Sequence, residues 1–233
     1  MSSTSPRREF LHRLVEIGTA AGGIALASGC APSVQAASVA GTAPLPAQSK
    51  WDMSWTSRLA RYKTAYDAPE ILNGAALAYA AAAMAGYHEI GVAASDFTPV
   101  LILRHAASIM VLNDATWAKL ELGDASKLKD PTTGAVAKRN PFISYAKGDK
   151  FTLVGPGGGL DELMSHGAVV LTCDSALRGY AYQLRMKEPS LTVDQSIVAI
   201  RAAIIPGVYL MPNGIFAVSA AQDAGCQYMR VMA

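Results

Sequence analysis

Short apolar runs alternate regularly with helical patterns from Arg61 onward. The clearest predicted strand, residues 168–172, is apolar up to Leu171, and Cys173 follows at its carboxyl end. Such runs are typical of strands buried on both faces, and strands that alternate with helices form parallel sheets with crossover helices. The sequence therefore predicts an α/β fold, a three-layer sandwich around a five-stranded, mainly parallel sheet.

Helix start signals mark several of the predicted helices. Pro69 and Asn213 stand where helices are expected to begin, and Thr192 with Gln195 forms the pattern of a capping box. The predicted strands are residues 62–66, 100–103, 168–172, 208–211 and 227–231. The predicted helices are residues 69–86, 108–120, 161–166, 174–187, 193–203 and 214–224.

Composition excludes several classes of protein. The chain has 233 residues, of which 51% are hydrophobic and 16% charged, and this suits one domain with a substantial core. Three cysteines are too few for a disulfide scaffold. A net charge of +2 without clustered Lys and Arg gives no sign of nucleic-acid binding, so we expect no such partner. Because no apolar run reaches ~20 residues, we also expect no membrane span.

The N-terminal residues have the pattern of an export signal. Arg7 and Arg8 precede a mildly apolar stretch over residues 17–31 that is rich in Gly and Ala. A charged start, a short apolar middle and small residues at the end are typical of a secretory signal, and the paired arginines indicate the twin-arginine route. Residues 1–36 are therefore predicted to be a twin-arginine signal peptide, and the protein is predicted to be periplasmic.

Two processing sites are compatible with this signal. Cleavage after Ala36 would use the small residues there, whereas cleavage before Cys30 would give a lipoprotein anchored through that residue. The segment 37–60, with its Pro, Ala and Ser residues, is predicted to be a flexible tether. The α/β domain is expected over residues 61–233, with a polar, turn-rich insert at 123–150.

Cys173 is the strongest candidate for chemistry because it ends a predicted strand and precedes a predicted helix. Ligands of open α/β sheets bind beyond the carboxyl ends of the strands, and a helix N-terminus stabilises a nucleophilic thiolate. Asp174 opposes that thiolate by its charge, whereas Arg104 and Arg178 would offset Asp174. The alternative is a small buried core residue, since free Cys is among the most buried residue types.

Two further residues are judged by their place relative to Cys173. His105 follows the predicted second strand at the same edge, so it is a candidate base or orienting partner; the alternative is a histidine bound to a loop carbonyl. Cys226 stands at the start of the fifth strand, at the opposite edge, too far for a disulfide with Cys173. Cys226 is therefore predicted to be structural, and an unpaired Cys173 in an exported protein favours a functional role.

No sequence pattern predicts a cofactor or a metal. The glycine run at 155–159 continues as Leu160-Asp161-Glu162, without the Lys and Ser or Thr of a phosphate-binding loop. This argues against a nucleotide- or flavin-binding enzyme. The chain has no His-x-x-His or Cys-x-x-Cys spacing, so we expect no dedicated metal site.

Several short motifs occur in an order that resembles the DsrE/DsrF-like (YchN-like) family. Residues 167–179, Gly-Ala-Val-Val-Leu-Thr-Cys-Asp-Ser-Ala-Leu-Arg-Gly, resemble that family's strand–Cys–helix segment. Ile-Pro-Gly-Val at 205–208, Met-Pro-Asn-Gly-Ile at 211–215 and Ala-Gly-Cys-Gln-Tyr at 224–228 are similar to its C-terminal pattern. The resemblance extends from Arg61 to the C-terminus.

The resemblance implies a DsrE-like fold that assembles as trimers or hexamers, with a persulfide carried on Cys173 between a sulfur donor and an acceptor protein. This chain differs from the cytoplasmic sulfur-relay members by its export signal and its insert at 123–150. Two hypotheses stay open. One is sulfur transfer or sulfur binding through Cys173, and the other is a non-catalytic oligomeric or small-ligand-binding module.

Overall fold

The structure, a computed structural model, describes residues 50–143 and 158–232. One five-stranded sheet of order β4-β3-β2-β1-β5 lies at its centre, and every paired strand is parallel to its neighbour. The strands are β1 Tyr62–Ala68, β2 Phe97–Leu103, β3 Val169–Cys173, β4 Val208–Met211 and β5 Gln227–Arg230. The predicted three-layer α/β fold is confirmed.

Short and long helices connect the strands. The α-helices of the described residues are α1 Ala75–Glu89, α2 Asp114–Leu120, α3 Leu122–Ala125, α4 Leu160–Ser165, α5 Asp174–Lys187, α6 Val193–Ala202 and α7 Gly214–Asp223. The 3-10 helices are Ser54–Arg58, Leu72–Gly74, Ala94–Asp96 and His105–Val111. Within these described residues no helix combines the length and the apolarity that crossing a membrane requires.

The core has two halves, one on each face of the sheet. Leu101 and Leu103 of β2 pack on the face covered by α1 and α5, and Val100 and Ile102 pack on the face covered by α7. All four side chains are fully buried. This two-residue alternation within an uninterrupted apolar run explains why β2 shows no polar face: both of its faces are interior.

The cap signals place several helices where they were predicted. α5 occupies residues 174–187 as predicted, and both halves of the capping box formed by Thr192 and Gln195 are present at the start of α6. At the start of α7, the Asn213 side chain accepts a hydrogen bond of 2.8 Å from the backbone N–H of Phe216. Satisfying these otherwise unpaired N–H groups sets where each helix begins.

The helix predicted from Pro69 begins later and ends later than expected. Asn73 and Gly74 have left-handed backbone angles (φ 51° and 85°), so α1 begins only at Ala75. The helix continues through Gly86 to Glu89. A single interior glycine costs only about 1 kcal/mol, which the neighbouring turns outweigh.

The single helix predicted over residues 108–120 is divided in two. Leu112 is extended and bridges Ile204, which ends the 3-10 helix His105–Val111. Asn113 then accepts a hydrogen bond from the N–H of Thr116 and starts α2. The tertiary contact with Ile204 interrupts an otherwise helical sequence.

Two segments predicted to be irregular contribute aromatic side chains to the core. Trp55, within the predicted tether, is fully buried against the α7 face of the sheet. Phe142, within the predicted insert, is also fully buried and meets the edge of Trp117 with ring centroids 6.2 Å apart. Such side chains bury large apolar areas, so they hold these segments against the domain. The packed structure therefore includes residues before 61 and part of the insert.

Several predicted features lie outside the described residues. They are the signal peptide with Arg7, Arg8, Cys30 and Ala36, the tether up to residue 49, residues 144–150 of the insert and Gly155–Gly157.

Candidate functional site

The carboxyl ends of β1, β2 and β3 meet at one edge of the sheet. Ala68 pairs with Leu103, and Leu103 pairs with Thr172 of β3. The next residues along the two strands, Arg104 and Cys173, are therefore backbone neighbours at that edge. Cys173 stands at the end of β3 as the sequence predicts.

Cys173 is both a strand end and a helix cap. Its Sγ accepts a hydrogen bond of 3.3 Å from the N–H of Ala176, in the first turn of α5. The sulfur therefore lies at a helix N-terminus, where the backbone N–H groups carry a partial positive charge. The side chain is only 3% exposed.

Asp174, the first residue of α5, is almost fully buried. Its Oδ2 accepts a hydrogen bond of 2.8 Å from Nε of Arg178, and its Oδ1 accepts one of 2.7 Å from Nε of Arg201. Two guanidinium groups thus compensate this carboxylate, so its repulsion of an anion on Cys173 is reduced.

Arg104, which directly follows β2 beside Cys173, belongs to a hydrogen-bonded charge cluster. Arg104 Nε donates to Asp67 Oδ1 at 2.6 Å and Nη2 donates to Oδ2 at 2.9 Å, and Tyr228 Oη of β5 donates to the same Oδ2 at 2.9 Å. Burial alone would raise the pKa of Asp67, but the hydrogen bonds from Arg104 and Tyr228 outweigh it and hold that pKa below its ordinary value. We call these three residues the Asp67 cluster.

Electrostatic interactions also connect the Asp67 cluster to the thiol. The hydrogen bond to Asp67 is the main cause that raises the pKa of Arg104, and the charges of Asp67 and Tyr228 and, least of all, the proximity of Cys173 add to it. For Tyr228, burial and then the hydrogen bond to Asp67 raise the pKa of the phenol. The charges of β1, β2, β3 and β5 thus converge at one edge.

His105 lies at the predicted edge, but its side chain is exposed. It begins the 3-10 helix with a left-handed backbone (φ 49°), and among the described residues no hydrogen bond joins it to Cys173. Its role as a base or orienting group stays a prediction. The residue that lies beside Cys173 is Arg104, which directly precedes His105 in the chain.

Sequence reasoning did not identify Asp67 or Tyr228 as members of this site. The sequence did contain one indication: Asp67 is an acidic residue near the end of a largely apolar strand, and a buried charge needs a partner. The partners are 37 and 161 residues away in the chain. Only the strand order, with β1 between β2 and β5, brings them together.

Cys226 lies at the amino edge of the sheet, just before β5 and level with Lys63. In the strand register, Cys226 is level with the residue six positions before Cys173 of β3. The two thiols are therefore separated by ~20 Å along the strand direction alone. A disulfide needs Cα atoms within ~7 Å, and both cysteines are free. Burial raises the pKa of Cys226 to about 11, as suits an inert core thiol.

His88 and His166 are exposed, His88 in the last turn of α1 and His166 directly after α4. In the part of the chain that the structure describes, no group of three or more His, Cys, Asp or Glu side chains is placed to hold a metal ion. Comparison with known proteins adds no further constraint: no family model, no curated protein and no solved structure matches the chain.

Proposed function

We propose that this protein carries sulfur as a persulfide on Cys173, as its resemblance to the DsrE/DsrF-like family implies. The observation that supports this most is the position of Sγ, which ends β3 and accepts the N–H of Ala176 at the start of α5. Arg104 stands beside it, directly after β2. A helix N-terminus and a cation favour a thiolate before sulfur loading and a persulfide anion after it.

The proposed reaction is sulfane-sulfur transfer from a persulfide donor R–S–SH. The Cys173 thiolate attacks the outer sulfur, a new S–S bond forms on Cys173, and the donor's S–S bond breaks to release R–S⁻. The proton stays on the transferred sulfur during the exchange and is then lost to water to give the persulfide anion, and no external oxidant or reductant is needed. Transfer to an acceptor thiolate repeats the same exchange in reverse. Because Cys173 is only 3% exposed, the donor must be small or must bind where the edge opens locally.

The burial of Cys173 favours a second candidate function. A thiol that is 3% exposed and caps α5 also fits a non-catalytic oligomeric or small-ligand-binding module in which the sulfur only packs. The two candidates differ in whether the native thiol reacts.

Mass spectrometry of the natively purified protein distinguishes them. We expect one added sulfur on the peptide containing Cys173 and its complete loss in Cys173→Ser, which keeps the fold because Ser is a good helix cap. The matched control Cys226→Ser should retain the added sulfur, and His105→Ala should carry less of it. A Cys173 that takes up no sulfur from a low-molecular-weight persulfide would leave the binding module as the function.

Export is proposed from the sequence of the first 36 residues. Replacing Arg7 and Arg8 by Lys should retain the precursor in the cytoplasm, because the twin-arginine receptor reads that pair. Unchanged export would contradict the route. Labelling with a radioactive fatty acid that is lost in Cys30→Ala would identify a lipoprotein, whereas no label would favour cleavage near Ala36.

A further inference from the structure

We infer that Arg104 is the electrostatic partner of the Cys173 sulfur and that Asp67 and Tyr228 are the positioning residues that hold it there. This inference rests on the proposed function, since it assigns an anionic sulfur to Cys173. The inference can be tested separately from the proposed function, because the reactivity of a thiolate can be measured without sulfur transfer.

The backbone brings Arg104 to the thiol. Leu103 and Thr172 are the last residues paired between β2 and β3, and Arg104 continues in extended conformation after β2 by donating its N–H to the carbonyl of Ala68. Arg104 and Cys173, the next residue of each segment, therefore lie side by side at this edge of the sheet. This adjacency depends on rigid strands rather than on a loop.

The guanidinium group is held in one orientation. Asp67 accepts two parallel N–H donors from it, and Tyr228 fixes the second carboxylate oxygen from β5. Bidentate pairs of this kind set the plane of the guanidinium as well as its position. The Arg104 side chain is 13% exposed, so little solvent screens its charge.

The start of α7 leaves room for the stem of Arg104. A Cβ atom built on Gly214 would lie 2.4 Å from Cβ and 2.6 Å from Cδ of Arg104. Any side chain at Gly214 would therefore push Arg104 away from its present course. The absence of a side chain there is a condition for the cation to reach the edge.

Arg104 keeps donors for another acceptor. Asp67 takes two of the five guanidinium N–H groups, and no other described residue accepts a hydrogen bond from the remaining three. An anionic sulfur at the neighbouring strand end would be a fitting acceptor for them. Asp174, the other carboxylate at this edge, is already paired with Arg178 and Arg201 and does not compete for Arg104.

The test compares alkylation of Cys173 by neutral iodoacetamide and anionic iodoacetate, with modification quantified on the Cys173 peptide of the full chain. We expect Arg104→Met to slow both reagents by about tenfold at neutral pH, because the thiolate loses its charge partner. We expect the iodoacetate rate to fall further than the iodoacetamide rate. Arg104→Lys should keep part of both alkylation rates, and Tyr228→Phe should lower both rates by less than Arg104→Met does.

Arg61→Met is the matched control, because it removes the same charge from an exposed residue at the amino edge of β1. It should leave both rates unchanged. An unchanged ratio of the two rates in Arg104→Met, or faster alkylation by both reagents, would overturn the inference; faster alkylation would mean that Arg104 only covers the thiol. Absence of reaction in every variant would overturn it too.

The two ideas fail in different ways. If Arg104→Met slows alkylation but wild-type Cys173 accepts no sulfur from a persulfide, the proposed function is wrong and the charge partnership stands. If Cys173 takes up sulfur but its alkylation rates do not change in Arg104→Met, only the inference about Arg104 is wrong.

Discussion

At the scale of single residues, the most consequential interaction is the ion pair between Asp67 and Arg104. Both groups are largely removed from water, and their hydrogen bonds compensate the cost of that burial. Removing one partner leaves the other charged and unpaired in the same place, and this is far more costly than the pair itself is stabilising. Asp67 is therefore the residue whose loss should be felt in both stability and site geometry.

Asp67→Asn should lower the free energy of unfolding at neutral pH by about 2–4 kcal/mol. The native-state pKa of Asp67 is below its ordinary value, so its contribution is complete above the unfolded-state pKa and is lost as pH falls through the native-state pKa. The difference between wild type and variant should thus be constant near pH 6–7 and shrink below about pH 4. Denaturant unfolding at several pH values measures it; a difference independent of pH would contradict this account.

At the scale of elements, helix caps and a buried amide decide where segments begin and what they pack against. Asn140 is fully buried, and its Nδ2 donates to the carbonyls of Met110 and Leu112 at 2.7 Å each. Its Oδ1 accepts the N–H of Phe142 at 3.0 Å. One side chain thus joins the predicted insert to the link between the 3-10 helix His105–Val111 and α2.

Asn140→Asp should destabilise the protein by about 2–4 kcal/mol, because a carboxylate would face two carbonyl oxygens that have lost their donor. The matched control is Asn113→Asp, which makes the same chemical change at the cap of α2, where a carboxylate accepts the N–H of Thr116 equally well. The control should stay within about 0.5 kcal/mol of wild type. Thermal or urea unfolding of both variants tests this; equal losses would show that Asn140 is not the anchor.

At the scale of the whole molecule, the surface keeps apolar side chains on two contacting helices. Tyr182 and Met186 of α5 are 62% and 66% exposed, and Val193 and Val198 of α6 are 54% and 64% exposed. Single exposed apolar residues are ordinary on monomers, so these alone identify no interface. The expectation of self-association comes from the family resemblance.

We predict that the chain from residue 37 onward is a homo-oligomer, a trimer or a multiple of one. Multi-angle light scattering gives the assembled mass directly, and dilution shows how tightly the copies associate. A monomer at high protein concentration would contradict the prediction. Mixing natively purified protein with the Cys173→Ser variant tests in addition whether one assembly can hold loaded and unloaded copies.

Local structure is encoded within short stretches of the amino-acid sequence. Apolar runs of strand length, Thr192 with Gln195, and Asn213 predicted strands and helix starts that the structure confirms, because each signal acts through its own backbone within a few residues. The same signals placed Cys173 at the end of β3 and at the start of α5. The predicted helix boundaries were wrong at two places. A left-handed turn at Gly74 delays the start of α1, and the contact of Leu112 with Ile204 divides the helix predicted over residues 108–120.

The tertiary structure alone decided the surroundings of that thiol. The strand order brings Asp67, Arg104 and Tyr228 together from three separate parts of the chain, and no pattern within any one of those parts encodes the strand order. The packing of helices and loops against the sheet likewise decides the burial of Trp55 and Phe142 and the 3% exposure of Cys173. Charge and burial at a site depend on distances between segments that only packing sets. The sequence therefore offered Arg104 and Arg178 as cations near Cys173, but it did not show that Asp67 and Tyr228 hold Arg104.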